Sequence, residues 1–440
     1  MKPSLDTAFI YVIAIMLVAI SMDVLPFWVV LAALVIRLIY ADTHTVGVFL
    51  LMFGGVLGST IRFEMPFLPI YGLILNFFGL WLVKDTFRHF KYESASIQMM
   101  AIVLIYFFLA YVLSPNINDI RATTKIQGLI MNGAMMFVAY YTIVHSSKIE
   151  NEILTQCLFL ASILFLVHNM NLLGIRPNNF FDYEWHRKGA GLLLGMKNDD
   201  LYMKFVNYQV VGMNTLFGIS MYLAKLKNTK PKIIIYSLIA LQLVLTSGAR
   251  QAIFGTIIII LLYLTVFNSR NLLERGNNKK IVYLLIGAAA FCLLLQILPM
   301  LGIDYISETL DSGDKGREML LAMGWNLFLR NPLLGSGVGG FNHAYPGMLY
   351  PHNFFIEVLC ECGVLGVAFL IAMLVAHFRY QRLNVLFLTE NKTFIFLIVA
   401  ALGMRVMVSD DLTASIGLFS AFFACTLTEP VSYTHLTLPT

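Results

Sequence analysis

The sequence is poor in charged residues. Only 12% of its 440 residues are Asp, Glu, Lys or Arg, against about 25% in an ordinary soluble protein. Hydrophobic residues make up 59%, and the mean hydropathy is +0.77. No water-soluble core could hide this much apolar surface, so lipid is the expected solvent. The net charge of +5 forms no basic patch with interleaved aromatics, which argues against nucleic-acid binding.

Signals for disulfides, zinc and secretion are also missing. The five cysteines all fall in apolar stretches, which predicts small core residues: Cys157, Cys292, Cys360, Cys362 and Cys425. The pair Cys360 and Cys362 lacks zinc spacing. No small-residue cleavage site follows the first apolar run, so it predicts a membrane helix and not a signal peptide.

Long apolar runs recur along the chain. They predict an all-α, polytopic bundle of about 12–14 transmembrane helices, since about 20 apolar residues cross a bilayer. The expected spans lie near residues 7–22, 24–40, 45–58, 66–83, 99–113, 128–144, 153–168, 205–223, 233–246, 252–268, 281–301, 354–376, 394–409 and 413–427.

Basic residues set the expected orientation. Short turns rich in Lys at 225–232 and in Lys and Arg at 270–280 predict cytoplasmic loops, and the alternation puts the N-terminus inside as well. Three features then fall outside: a loop at about 169–204, a tight turn at 246–250 and a long loop at about 302–352. Loops of this length are usually functional.

The segment before the span near 354–376 has the residues of a helix start. Pro351 precedes it and Asn353 is a capping residue, so His352 is expected at a helix N-terminus, where anions are attracted. Upstream, Gly335, Gly337 and Gly340 form a G-x-G-x-x-G pattern. No strand precedes it and no long helix follows, which excludes dinucleotide binding. A glycine turn can still bring backbone N–H groups to a phosphate.

Residues 316–366 resemble the O-antigen ligase and polymerase family of membrane-embedded glycan ligases and polymerases. The resemblance lies in the order and spacing of Gly316-Arg317-Glu318, Asn331-Pro332-Leu333-Leu334-Gly335-Ser336-Gly337, His352-Asn353 and Glu361-Cys362-Gly363-Val364-Leu365-Gly366. It implies a glycosyltransferase that acts on lipid-linked glycans in the assembly of O-antigen lipopolysaccharide, capsule or exopolysaccharide.

The resemblance also implies roles for single residues. His352 is the expected base, and Arg250 in the turn Thr246-Ser247-Gly248-Ala249-Arg250 the expected diphosphate ligand. Arg187 takes a similar role from the first external loop, although Lys197-Asn198-Asp199 replaces the family's usual Asn-Pro-Asn there. Arg317 assists, and Asn353 and Glu357 support the site. The guanidinium fork suits phosphate, so no metal or cofactor is expected.

The implied reaction transfers an undecaprenyl-diphosphate-linked oligosaccharide, with inversion, to a hydroxyl on a growing glycan or on lipid A core. It would take place at the outer face of the bacterial plasma membrane. We favour a polymerase over a ligase. A metal-dependent transferase using Asp182, Glu184, Asp199–Asp200 or Asp410–Asp411 is an alternative, and a transporter or flippase of lipid-linked sugar is another.

Further features complete the expectations. Residues 317–328 have apolar residues at 320, 323, 327 and 328, which predicts an amphipathic helix that lies on the outer membrane surface, anchored by Trp325, or packs against the other spans. Glu357 and Glu361 lie four apart on one face of a span and are functional candidates; alternatively they pair with an arginine or face a cavity. Residues 1–430 are expected to form one membrane domain. Residues 431–440, VSYTHLTLPT, match a one-frame translation of a common sequencing adapter, so we treat them as non-native.

Overall fold

The computed structural model describes residues 2–22, 24–64, 71–88, 95–177, 205–225, 230–263, 315–348, 350–381, 390–408 and 412–424. Within these ranges all regular structure is helical, which confirms the all-α prediction. The helices are α1 Lys2–Ser21, α2 Phe27–Ile39, α3 Thr43–Glu64, α4 Tyr71–Leu82, α5 Lys84–Arg88, α6 Ala95–Val112, α7 Ile120–His145, α8 Asn151–Leu173, α9 Tyr208–Lys225, α10 Lys230–Ser247, α11 Arg250–Leu262, α12 Lys315–Arg330, α13 Gly340–Ala344, α14 Phe354–Gln381, α15 Glu390–Val408 and α16 Leu412–Ala424.

Many of these helices have the length and composition of membrane spans. In the described part of the chain, α6, α7, α8 and residues 354–377 of α14 are long and apolar enough to cross a bilayer, and eight shorter apolar helices accompany them. Every predicted span coincides with a helix except the one near 281–301, which lies outside the described residues. The protein is therefore a membrane-embedded helical bundle.

Helix α8 forms the centre of the bundle. Its side chains from Ile153 to Met170 are buried around the whole circumference, as expected of a helix surrounded by other helices. It packs against α1, α2, α3, α9 and α10. These five helices surround α8.

We call the end of the bundle at which α7 begins end A, and the end at which it finishes end B. At end B, the backbone N–H of Glu150 donates to Thr45 Oγ1 (2.8 Å) just before α8 starts. In the first turn of α8, Glu152 accepts from Lys232 Nζ at 2.7 Å. Since Lys232 lies in the first turn of α10, α10 runs from end B to end A.

At end A, the last turn of α8 meets the start of α9, where Asn169 Nδ2 donates to the carbonyl oxygen of Val206 at 2.7 Å. The side chain of Gln251 donates to the carbonyl oxygen of Gln209 at 3.4 Å, which brings the start of α11 to the same place. Arg250, the first residue of α11, therefore lies at end A.

Candidate active site

Helix α14 is sharply bent at Gly363. The backbone there has φ 67° and ψ −168°, which is not helical. A Cβ atom added to Gly366 would lie 3.2 Å from Val358 Cγ1, although residues eight apart in a straight helix are separated by about 12 Å. The segment from Phe354 to Cys362 thus turns back over the rest of the helix.

A loop of residues 331–340, here the glycine loop, holds this bend by four backbone hydrogen bonds. Ser336 and Gly337 donate to the carbonyl oxygens of Cys360 (2.8 Å) and Glu361 (2.9 Å). The N–H groups of Val364 and Leu365 donate to the carbonyl oxygens of Pro332 (2.9 Å) and Leu333 (3.3 Å). In an unbroken helix the two carbonyl groups of α14 would accept hydrogen bonds from its two N–H groups. The glycine loop therefore supplies hydrogen-bond partners for the backbone groups that the bend leaves unpaired within the helix.

The fit between loop and bend leaves no space for side chains. A Cβ on Gly363 would collide with the Leu333 carbonyl oxygen, and one on Gly335 with the Glu361 carbonyl oxygen. The loop N–H groups of Gly335, Ser336, Gly337 and Gly340 donate to protein carbonyl oxygens. These four amides therefore hold the loop against the protein. They are not available as donors to a phosphate, which was the role considered for the glycine turn.

The glycine loop is also tied to the connection between α6 and α7. Asn116 Nδ2 donates to the carbonyl oxygen of Ser336 at 2.9 Å, and Ser114 Oγ to that of Val338 at 3.4 Å. Since this connection immediately precedes α7, the loop and the bend lie at end A.

Helix α12 covers the returning part of α14. The predicted helix is present, and its apolar stripe packs on protein, which was the alternative to the membrane surface. Leu327 and Phe328 are buried against Phe341 and Cys360, with Leu320 and Met323 partly buried beside them. A different face of α12 is exposed, and it carries Met319, Trp325 and Leu329.

His352 lies immediately before the start of α14, as predicted. Asn353 Oδ1 accepts from the N–H of Ile356 at 3.1 Å and caps the helix. His352 has φ 57°, the left-handed region that residues other than glycine rarely occupy. Its ring lies 4.4 Å from that of Tyr350, centroid to centroid. Such strain is maintained only where the surroundings fix the backbone, and it concentrates at functional sites.

A buried ion cluster joins the returning part of α14 to α7. Lys125 contacts both Glu357 and Glu361, with Nζ 2.7 Å from Glu361 Oε1. The lysine is 8% exposed and the two glutamates 0% and 1%. Buried charges need partners because desolvation costs several kcal/mol per ion. Glu357 lies little more than one turn from His352, so the cluster fixes the helix start that carries the histidine.

The structure describes the predicted arginines to different degrees. Arg250 begins α11 at end A, the same end as His352, and its side chain lies outside the described part. Arg317 is in the first turn of α12 with its side chain partly exposed. Arg187, and the acidic pairs of the metal-dependent alternative, lie outside the described residues. Of the cysteines, Cys157, Cys360 and Cys362 are described, and all three are buried and free.

Sequence reasoning missed Lys125. The predicted span began near residue 128, which left the lysine in a loop, whereas α7 begins at Ile120. The available signal was a lysine a few residues before a predicted span, together with two glutamates in a later span whose partner was not identified. A sequence pattern does not show which residues more than 230 positions apart contact each other in the fold.

Comparison with known families matches residues 235–371 to the profile described as O-Antigen ligase. This part of the chain, less than half of its length, is similar to the O-antigen ligase family. The match runs from α10 into the second part of α14, and so includes Arg250, Arg317, the glycine loop, His352 and both glutamates. A comparison with curated proteins finds no similar sequence. The resemblance predicted from the sequence is thus confirmed, and with it a role in cell-surface polysaccharide assembly.

The region that matches the O-antigen ligase family does not contain every element of the site. Lys125 and the connection that holds the glycine loop lie before residue 235. The N-terminal helices therefore complete the setting of His352, although the family match does not extend to them.

Proposed function

We propose that the protein is an inverting, metal-independent glycosyltransferase, acting as an O-antigen, capsule or exopolysaccharide polymerase. The donor is an undecaprenyl-diphosphate-linked oligosaccharide and the acceptor a sugar hydroxyl on a growing glycan. The protein lies in the bacterial plasma membrane with its N-terminus in the cytoplasm. End A, with His352 and the start of α11, faces outward.

One observation carries the proposal. A histidine in a strained backbone conformation lies at a capped helix start, held by the glycine loop and the Lys125 cluster, inside the region that matches the O-antigen ligase family. Arg250 begins a second helix at the same end. An imidazole and a guanidinium at the depth of lipid head groups suit a base and a diphosphate ligand.

In the proposed reaction, His352 accepts the proton of the acceptor hydroxyl as its oxygen attacks the anomeric carbon of the donor. The bond between that carbon and the diphosphate oxygen breaks, and the electron pair leaves with the polyprenyl diphosphate. Arg250, with Arg187 and Arg317, stabilises the charge on the leaving group. Attack from the opposite face inverts the anomeric centre. Asn353 and Glu357 position the histidine through the helix start.

The proposal is tested in a deletion strain that expresses single variants. We expect His352→Ala and Arg250→Ala to leave single repeat units where the wild-type gene restores long chains. Arg379→Met, an exposed arginine in the last turn of α14, should restore them fully. Membrane fractions of every strain are probed for the protein. Long chains from either alanine variant would overturn the mechanism.

The match to the O-antigen ligase family favours a second candidate, an O-antigen ligase that transfers the finished glycan to lipid A core. The same strains separate the two. A missing ligase leaves core without glycan while long lipid-linked chains accumulate, whereas a missing polymerase leaves short ones.

A further inference from the structure

A cavity inside the bundle lies apart from the residues discussed so far. It has a volume of about 220 Å³ and is lined by α3, α4, α7, α9, α15 and α16. Val210 and Met213, in the first two turns of α9, line it, and so does Thr413 in the first turn of α16. Met135 and Tyr140, in the second half of α7, line it as well, so the cavity lies near the middle of the bundle.

The cavity combines apolar walls with one cation. Methionine and phenylalanine side chains such as Met135 and Phe217 form most of the wall, and Arg405 projects from the last turn of α15. Arg405 also interacts with other protein groups, and it lies within electrostatic range of Tyr140. A charged side chain within a membrane span is costly and marks a ligand path or site more often than not.

Two asparagines add polar groups that suit a ligand. Asn132 lines the cavity and donates to the carbonyl oxygen of Thr413 at 3.4 Å. Asn76 Oδ1 is buried without a hydrogen-bond partner. The two ends of an amide differ only in how the group is turned, so Asn76 can present its N–H donors to an anion. The cavity thus holds a guanidinium and amide donors within an apolar wall.

We propose that this cavity binds the phosphate group of a membrane lipid, with Arg405 as its cationic ligand and the apolar wall against the lipid chain. The volume suits a small group. It is several times the ~30 Å³ of a water molecule but below the ~300 Å³ at which pockets for drug-sized ligands begin. A phosphate head group with part of a chain fits.

Gly417 offers a test that leaves every charge in place. It lines the cavity, and a Cβ atom added to it would meet nothing within 4 Å. Gly417→Leu should therefore fill the space while favouring the helix. Gly403→Leu is the matched control, because Gly403 is also helical with open space around it but does not line the cavity. Arg405→Met tests the cation, with Arg379→Met as its control.

The full-length protein is placed in phosphatidylcholine nanodiscs and titrated with undecaprenyl diphosphate or phosphatidylglycerol, and bound lipid is measured by native mass spectrometry. We expect Gly417→Leu and Arg405→Met to weaken binding at least roughly tenfold, the scale of one charge-assisted contact. Both controls should bind as the wild type does.

The two lipids distinguish the sources of the phosphate. Weakening for both identifies a general phosphate pocket, and weakening for the diphosphate alone identifies a donor pocket; either supports the inference. Wild-type binding of both lipids by Gly417→Leu and by Arg405→Met would overturn it. Since binding is measured without transfer, the inference stands or falls separately from the proposed function.

Discussion

At the scale of single residues, His352 adopts a left-handed backbone that costs an L-amino acid about 1–2 kcal/mol. Glycine adopts this conformation without the penalty. We therefore expect the free energy of unfolding of His352→Gly to exceed that of His352→Ala by roughly 1 kcal/mol. The glycine variant should then unfold at a higher temperature, although both variants lose transfer. Thermal unfolding of the two purified variants in one detergent measures the difference. An alanine variant as stable as the glycine variant would contradict the strained backbone.

Lys125 carries the second prediction at this scale. Lys125→Met leaves two buried carboxylates without their cation, which should cost about 3–5 kcal/mol of stability. The triple variant Lys125→Met, Glu357→Gln, Glu361→Gln should recover much of that loss, because it removes the uncompensated charge. Thermal unfolding measures both, with the exposed Lys148→Met as control. If the triple variant were less stable than the single one, the cluster would not be held by charge pairing.

Sequence patterns predicted part of this site. Pro351 and Asn353 marked the helix start and put His352 at its N-terminus, because capping is local chemistry. The left-handed backbone of His352 was not predictable, since most histidines do not adopt it even though the residue type is enriched there. Glu357 and Glu361 were expected to pair with an arginine or to face a cavity. Their partner is Lys125, which depends on how α7 packs on α14.

At the scale of elements, the bend of α14 depends on Gly363. Alanine in place of a mid-helix glycine ordinarily stabilises by about 0.5–1 kcal/mol. Here we expect the opposite, because Gly363 has positive φ and a Cβ would collide with the Leu333 carbonyl oxygen. Gly363→Ala should lower both the unfolding temperature and transfer activity.

Gly403→Ala in α15 is the control for that variant. It has open space around it, so it should be neutral or stabilising in the same unfolding assay. A Gly363→Ala protein as stable and active as Gly403→Ala would show that the bend is not needed.

The elements themselves were largely predictable, because apolar runs of span length admit few other structures. The predicted helix at Arg317–Phe328 is present as α12. Its apolar stripe was predicted to face either the membrane surface or the other spans, because an amphipathic pattern identifies the buried face but not what buries it. The hydrogen bonds between glycine loop and bend join segments about 30 residues apart, which spacing alone did not reveal.

At the scale of the whole molecule, the helix contacts bring the starts of α11 and α14 to one end of the bundle. The proposal puts that end outside the cell. In a background without native cysteines, Arg250→Cys and His352→Cys should react with a membrane-impermeant maleimide on intact spheroplasts. Ser147→Cys, exposed in the loop at end B, should react only after permeabilisation. If only Ser147→Cys were labelled on intact spheroplasts, the protein would have the opposite orientation in the membrane.

The approximate number of spans and their expected orientation could be predicted, since apolar runs and basic turns can be recognised without knowing how the helices pack. The central position of α8 and the cavity near Arg405 were not, because both depend on which helices become neighbours.

Transfer by the purified protein tests the central claim most directly. Wild-type protein and its exposed-arginine control, Arg379→Met, are supplied with an undecaprenyl-diphosphate-linked oligosaccharide, and released undecaprenyl diphosphate is counted. We predict that His352→Ala releases it roughly 10²–10⁴-fold more slowly, the usual contribution of a general base. Release by His352→Ala at the wild-type rate would contradict the account.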